Sequence, residues 1–172
     1  MSMFRHGYLL FTLVSVSAIS QESPRLGEPV DPDRIAEIDY TIMPNGDGLP
    51  PGSGSAREGR DVFNRHCIAC HGQEGQGALN DRLVGGHGTL GTDMPVKTVG
   101  SYWPYATTVF DYVRRAMPLQ SPGILSDDEL YAVTAYVLYM NDIVDEDQSL
   151  TMDNLAAVEM PNRDGFTWDY LP

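Results

Sequence analysis

Cys67, Cys70 and His71 stand together as Cys67-Ile68-Ala69-Cys70-His71, and they are the residues of this chain best suited to chemistry. Two thiols three positions apart can each add to a vinyl group on the same edge of a porphyrin. The adjacent imidazole then lies under the iron as its ligand. The pattern reads as an attachment site for one covalently bound haem c. Three competing chemistries fit less well. A zinc site needs four donors, and His66, His71 and His87 are the only histidines beyond the N-terminal segment, at no finger spacing. A redox dithiol belongs beside a βαβ pattern, which this chain lacks. Two cysteines three apart staple nothing distant, and a local disulfide would leave His71 unexplained.

The second axial position calls for a Met or a His, or stays open. Met117 is the preferred candidate, because it ends a helical stretch, Pro118 follows it, and another helix starts about ten residues on. Met94 (also followed by Pro), Met140 and His87 are the rivals. Tyr102, Trp103 and Tyr105 are candidates for haem binding through an N–H or O–H to a propionate, or for packing its edge. Arg114 and Arg115 read as solvated charges, with a propionate or a partner as the alternative.

Few elements are needed to position these groups. Ser55 and Glu58 form a capping-box pattern, and Gly59, Phe63 and Cys67 recur at helical spacing, so a helix runs from residue 55 into the motif. A Gly-rich stretch, 72–106, reads as a loop long enough to wrap something. A second helix is expected over Thr107–Ala116, stopped by Pro118. A third is expected from Leu130 to about Met140, opened by a second capping box at Ser126 and Glu129. Residues 21–54 are rich in Pro, Gly and Asp and read as an extended arm; residues 142–172 read as an acidic tail ending in Phe166, Trp168 and Tyr170. The organisation expected is a leader at 1–20, an arm at 21–54, a mostly α haem domain at 55–141 and a tail at 142–172.

Composition narrows the function. Of the 172 residues, 24 are Asp or Glu and 11 are Lys or Arg, and Lys97 is the only lysine. A net charge of −13 argues against nucleic acid as a partner and favours basic partners. Arg5, an apolar run over 8–16 and the small residues Ala18 and Ser20 read as a cleaved signal peptide, with an uncleaved anchor as the alternative. Export to the periplasm follows from the first reading, and nothing else in the chain is apolar enough to span a membrane.

Taken together, Gly59, Phe63, the Cys67–His71 motif, Met117 and the helix carrying Tyr136 resemble the class I cytochromes c. The resemblance implies a mostly α cytochrome fold whose first and last helices cross at Gly59. It also implies that a backbone carbonyl near Asp81-Arg82-Leu83 accepts the Nδ1 proton of His71, although the family usually has Pro at position 81. A narrower likeness lies in Gly48-Leu49-Pro50-Pro51-Gly52-Ser53-Gly54, in residues 95–107 (Pro95 through Trp103 to Thr107), in Arg114-Arg115-Ala116-Met117-Pro118 and in Met160 to Phe166. These resemble the cytochrome c subunits of sulfane and sulfite dehydrogenases, which accompany a molybdenum protein. The implied function is a one-electron carrier, not an enzyme by itself, passing electrons from such a dehydrogenase to a downstream cytochrome or oxidase. A general periplasmic carrier, or a haem gas sensor or peroxidase-like enzyme with an open iron, are the alternatives.

Overall fold

A computed structural model describes residues 26–167 and 169. The leader expected at 1–20, and Trp168 and Tyr170 of the terminal aromatic group, lie outside the described residues. The chain divides into two units, residues 1–38 and 39–172. The described part of the first holds one short helix, α1 (Pro32–Ile38), where an extended arm is expected from sequence. Its start is fixed by the Asp31 carboxylate, which accepts from the Asp33 N–H at 3.0 Å.

The second unit holds β1 (Ser53–Ser55), α2 (Ala56–His66), α3 (Ile68–His71), α4 (Ala106–Ala116), α5 (Asp127–Tyr139), β2 (Ser149–Thr151) and a 3₁₀ turn at Leu155–Ala157. Both capping boxes form. The Ser55 N–H donates to Glu58 Oε2 at 2.8 Å, and the Ser126 N–H donates to Glu129 Oε2 at 3.0 Å. Each main-chain bond holds its carboxyl below the ordinary glutamate value. A carboxyl lowered by folding stabilises the fold above its unfolded pKa, and loses that contribution as pH falls through the folded one. α2 does not run unbroken into the motif: it ends at His66, and the backbone restarts at Ile68 as the single turn α3. α5 starts three residues before Leu130, at the capping box itself.

α2 and α5 cross in close contact at the place the sequence marks. A Cβ at Gly59 would lie 1.9 Å from the Ala132 carbonyl oxygen and 2.9 Å from Tyr136 Cβ. Gly54 of β1 meets the same residue, where a Cβ would come within 2.3 Å of the Ala132 nitrogen. Phe63, Phe110, Tyr131 and Leu138 are fully buried around this crossing.

The segments read as an arm and a tail contribute to this core. β1 pairs antiparallel with β2, Gly54 opposite Leu150, and Leu49, Leu150, Leu155 and Met160 are all buried. The expected boundaries at 54/55 and 141/142 thus cut through one packed unit, because burying these apolar side chains outweighs the loop-like character of their neighbours. Arg57 and Arg60 tie α2 to Asp147 and Glu146, although such exposed ion pairs add little stability.

Gly59→Ala tests the crossing. Overpacking at this contact is expected to cost about 1–3 kcal/mol or more, read as a lowered denaturant midpoint. An unchanged midpoint would show that the helices have slack there.

Candidate functional site

Cys67, Cys70, His71 and Met117 all line one cleft of about 650 Å³, within the size range of cofactor pockets. Its floor is apolar, built from Phe63 of α2, Val109 of α4, and Val133 and Val137 of α5. The helix crossing at Gly59 therefore supplies the floor and also sets where α2 delivers the motif. α3 presents Cys70 and His71, and its Ile68 carbonyl is capped by the Gly72 N–H in a left-handed backbone (φ 81°) that suits glycine.

His71 is oriented by the main chain. Its Nδ1 donates to the Asp81 carbonyl at 2.8 Å, since a carbonyl can only accept. That bond puts the ring proton on Nδ1 and leaves the Nε2 lone pair for a metal. The bond arises at the position implied by the resemblance, with Asp in place of the family's usual Pro.

The loop that offers this carbonyl is held from several sides. The Asn80 N–H donates to the Cys70 carbonyl at 2.9 Å, and the Gly77 N–H to the His71 carbonyl at 2.7 Å. The Leu83 carbonyl accepts from the buried amide of Asn141 at 3.2 Å, and Asn141 Oδ1 accepts from the Gly85 N–H at 3.3 Å. Thr98 Oγ1 donates to the Gly85 carbonyl at 2.5 Å. Sequence reasoning missed Asn141 and Thr98. Their signal is faint: polar residues that stay buried where a helix ends and a loop packs.

The thiol environment discriminates between chemistries. Burial, with the neighbouring Cys70 charge as a smaller cause, pushes the Cys67 thiol up to about 11. A redox dithiol needs the opposite shift, toward a reactive thiolate. Among the described residues, no group of three or more His, Cys, Asp or Glu side chains gathers as a metal site. Two thiols, an Nε2 lone pair and a thioether facing an apolar cleft form a donor set that suits a flat, covalently held iron porphyrin.

The rivals of Met117 fall elsewhere. Met94 is 82% exposed, Met140 packs against the core, and His87 is exposed; none lines the cleft. Of the three aromatics, Trp103 lines the cleft and packs edge-on to Tyr112, with centroids 5.6 Å apart. Tyr102 and Tyr105 do not line it. Tyr102 lies edge-on to Phe166 at 5.3 Å and beneath Lys97, its carbonyl accepting from Asn162 at 2.7 Å. Tyr105 lies under the Arg163 guanidinium at 4.7 Å. The C-terminal segment draws both rings to itself by edge and cation–π contacts, and neither lines the cleft. Phe166 thus folds back onto the loop. Arg114 and Arg115 both lie over the Tyr40 ring, and neither lines the cleft.

A family model described as cytochrome c oxidase, cbb3-type, subunit III matches residues 54–137. A chain in the crystal structure of the sulfane dehydrogenase SoxCD from Paracoccus pantotrophus is similar at 44% identity and a TM-score of 0.78, covering 86% of this chain and 73% of that one. A thiosulfate dehydrogenase from Psychrobacter arcticus is 25% identical over 125 residues, 73% of this chain. The chain spans only 35% of that curated relative's length.

Met117→Ala is expected to let carbon monoxide bind the reduced protein and to lower its reduction potential, because thioether ligation raises it. Met94→Ala should change neither. The reverse pattern, read by absorption spectroscopy and potentiometry, would move the ligand to Met94.

Proposed function

This chain belongs to the class I c-type cytochromes, with one covalently attached haem c and single-electron transfer as its chemistry, and from that premise we propose that it serves a sulfur-compound dehydrogenase. In this reading it takes electrons from a molybdenum-containing sulfite or sulfane dehydrogenase and passes them to a downstream cytochrome or oxidase. The observation that carries the reading is the similarity to the SoxCD chain, which extends over 86% of the molecule and so beyond the haem-binding core.

The haem iron supplies the reversible one-electron couple. The residues of the chain do the rest. Cys67 and Cys70 would anchor the macrocycle through thioethers, His71 Nε2 and the Met117 sulfur would ligate the iron, and the buried valines and Phe63 that line the cleft would exclude water. Trp103 closes one side of the cleft. A thioether at the sixth position disfavours the gas-sensor and peroxidase-like alternatives, which need an open iron. We place the protein in the periplasm, exported by residues 1–20. No helix among the described residues is long and apolar enough to cross a membrane.

Charge shapes the encounter less simply than the composition suggests. Glu129, Glu146 and Asp147 are each paired with an arginine of α2. Among the described residues, Asp127, Asp128, Asp142 and Asp145 form no such pair, and they keep the surface near the start of α5 and the loop after it acidic. A basic face on the dehydrogenase would be steered toward this acidic surface, chiefly through the association rate.

Stopped-flow reduction by a purified molybdenum sulfite or sulfane dehydrogenase plus its substrate tests the assignment. Reduction should be fast at low salt and slow as the Debye length falls from about 30 Å at 0.01 M to about 8 Å at 0.15 M. No reduction by the enzyme at any salt, with normal reduction by a chemical donor, would leave a general carrier.

A further inference from the structure

The reading of Met117 as axial ligand raises a question of restraint. Residues 119–124, which follow it, are all exposed. Their ties are slight: the Ser121 N–H donates to the Pro118 carbonyl at 2.9 Å, and the Gln120 amide stands 3.9 Å from Cys70 Sγ. Met117 also lines a second cavity of about 450 Å³, bordered by Tyr40, Arg114, Arg115 and Leu125, so its side chain has room to retreat from the cleft. An unbranched, flexible side chain beside such a space is not held by packing alone. Its position has to be set from the α4 side, since Met117 is the residue on which α4 ends and its N–H donates to the Val113 carbonyl at 3.0 Å.

The end of α4 is clamped to the strap that precedes β1. Arg115 Nε donates to both carboxylate oxygens of Asp111, at 2.8 and 2.9 Å, which makes the guanidinium rigid one turn back on the same helix. An Nη of the same group donates to the Tyr40 carbonyl at 3.0 Å, and its Cζ lies 4.5 Å from the Tyr40 ring centroid. At the other end of α4, Thr107 Oγ1 donates to the Pro44 carbonyl at 3.2 Å. The strap thus runs along α4 and is fastened near both ends. Further along, it is anchored to α5, where the fully buried Tyr131 donates to the Pro50 carbonyl at 2.8 Å.

We propose that Arg115 is a positioning residue for the axial thioether: by fastening the last turn of α4 to Tyr40, it holds Met117 over the cleft rather than in the second cavity beside it. The inference deepens the proposed function and rests on its assignment of Met117. Arg115 touches neither the cleft nor the iron; it acts through the helix.

The experiment compares the holoprotein with its Arg115→Leu, Arg115→Lys and Arg57→Leu variants. Carbon monoxide binding to the reduced protein and the reduction potential are measured alongside helical circular dichroism. Arg115→Leu removes all three contacts and should bind carbon monoxide at least about tenfold faster than wild type, a loss of about 1.4 kcal/mol of ligand closure, with a lowered potential and unchanged helix content. Arg115→Lys keeps the charge without the planar fork and should recover only part of the closure. Arg57→Leu breaks a comparable exposed ion pair, with Asp147, and should behave as wild type. If Arg115→Leu excludes carbon monoxide as well as wild type does, or if Arg57→Leu opens the iron equally, the clamp is refuted while Met117 ligation stands. If Arg115→Leu does not fold, the Lys variant decides: a wild-type rate and potential there refute the clamp. If wild type binds carbon monoxide as readily as Met117→Ala, the ligand assignment falls and the clamp with it.

Discussion

Without a side chain at Gly59, the backbone of α2 lies against the carbonyl of Ala132, and most of the molecule follows from that approach. It fixes how far α2 can advance before Cys67 and where the valines of α5 stand beneath the cleft. Gly54 brings β1 against the same alanine, so the strap and β2 are drawn onto the crossing rather than left beside it. Close approach on this scale lets Phe63, Phe110, Tyr131 and Tyr136 interlock, Phe63 edge-on to Tyr136 at 5.4 Å and Phe110 tilted on Tyr131 at 4.6 Å. These rings back the apolar floor of Phe63, Val109, Val133 and Val137, in a site whose outer wall is mostly loop.

That division explains what was legible in the sequence. The haem motif, both capping boxes and the α4 stop at Pro118 are set by residues within a few positions of one another, and they read directly; the crossing at Gly59 comes from the family resemblance. The rest depends on partners far along the chain. Ser53-Gly54-Ser55 carries no alternating apolar pattern, yet it pairs with a segment almost a hundred residues on, because Leu150 needs a place in the core. Tyr40 looks like any loop tyrosine until two arginines of α4 lie over it. Tyr102 and Tyr105 flank Trp103, but neighbouring side chains on irregular backbone point different ways, and the tail captures the two that miss the cleft.

The loop from Gly72 to Tyr105 has no regular structure, and its order comes from buried polar groups that satisfy one another. Asn141 bonds the loop at Leu83 and Gly85, while Thr98 and Ser101 close it on itself. Such a network is costly if half made and rigid if complete. Rigidity here keeps the Asp81 carbonyl 2.8 Å from His71 Nδ1, and so fixes the orientation of the imidazole proposed as iron ligand. The two residues proposed as axial ligands are therefore supported in different ways: His71 by a closed hydrogen-bonded loop, and Met117 by the end of a helix beside an exposed one.

The central claim is a haem iron held between His71 and Met117. X-ray absorption at the iron edge of the intact ferric protein tests it without disturbing any contact. The account expects one sulfur neighbour at the iron beside the nitrogens of the porphyrin and of His71. An iron surrounded by nitrogens alone, or one lacking a sixth neighbour, would contradict it.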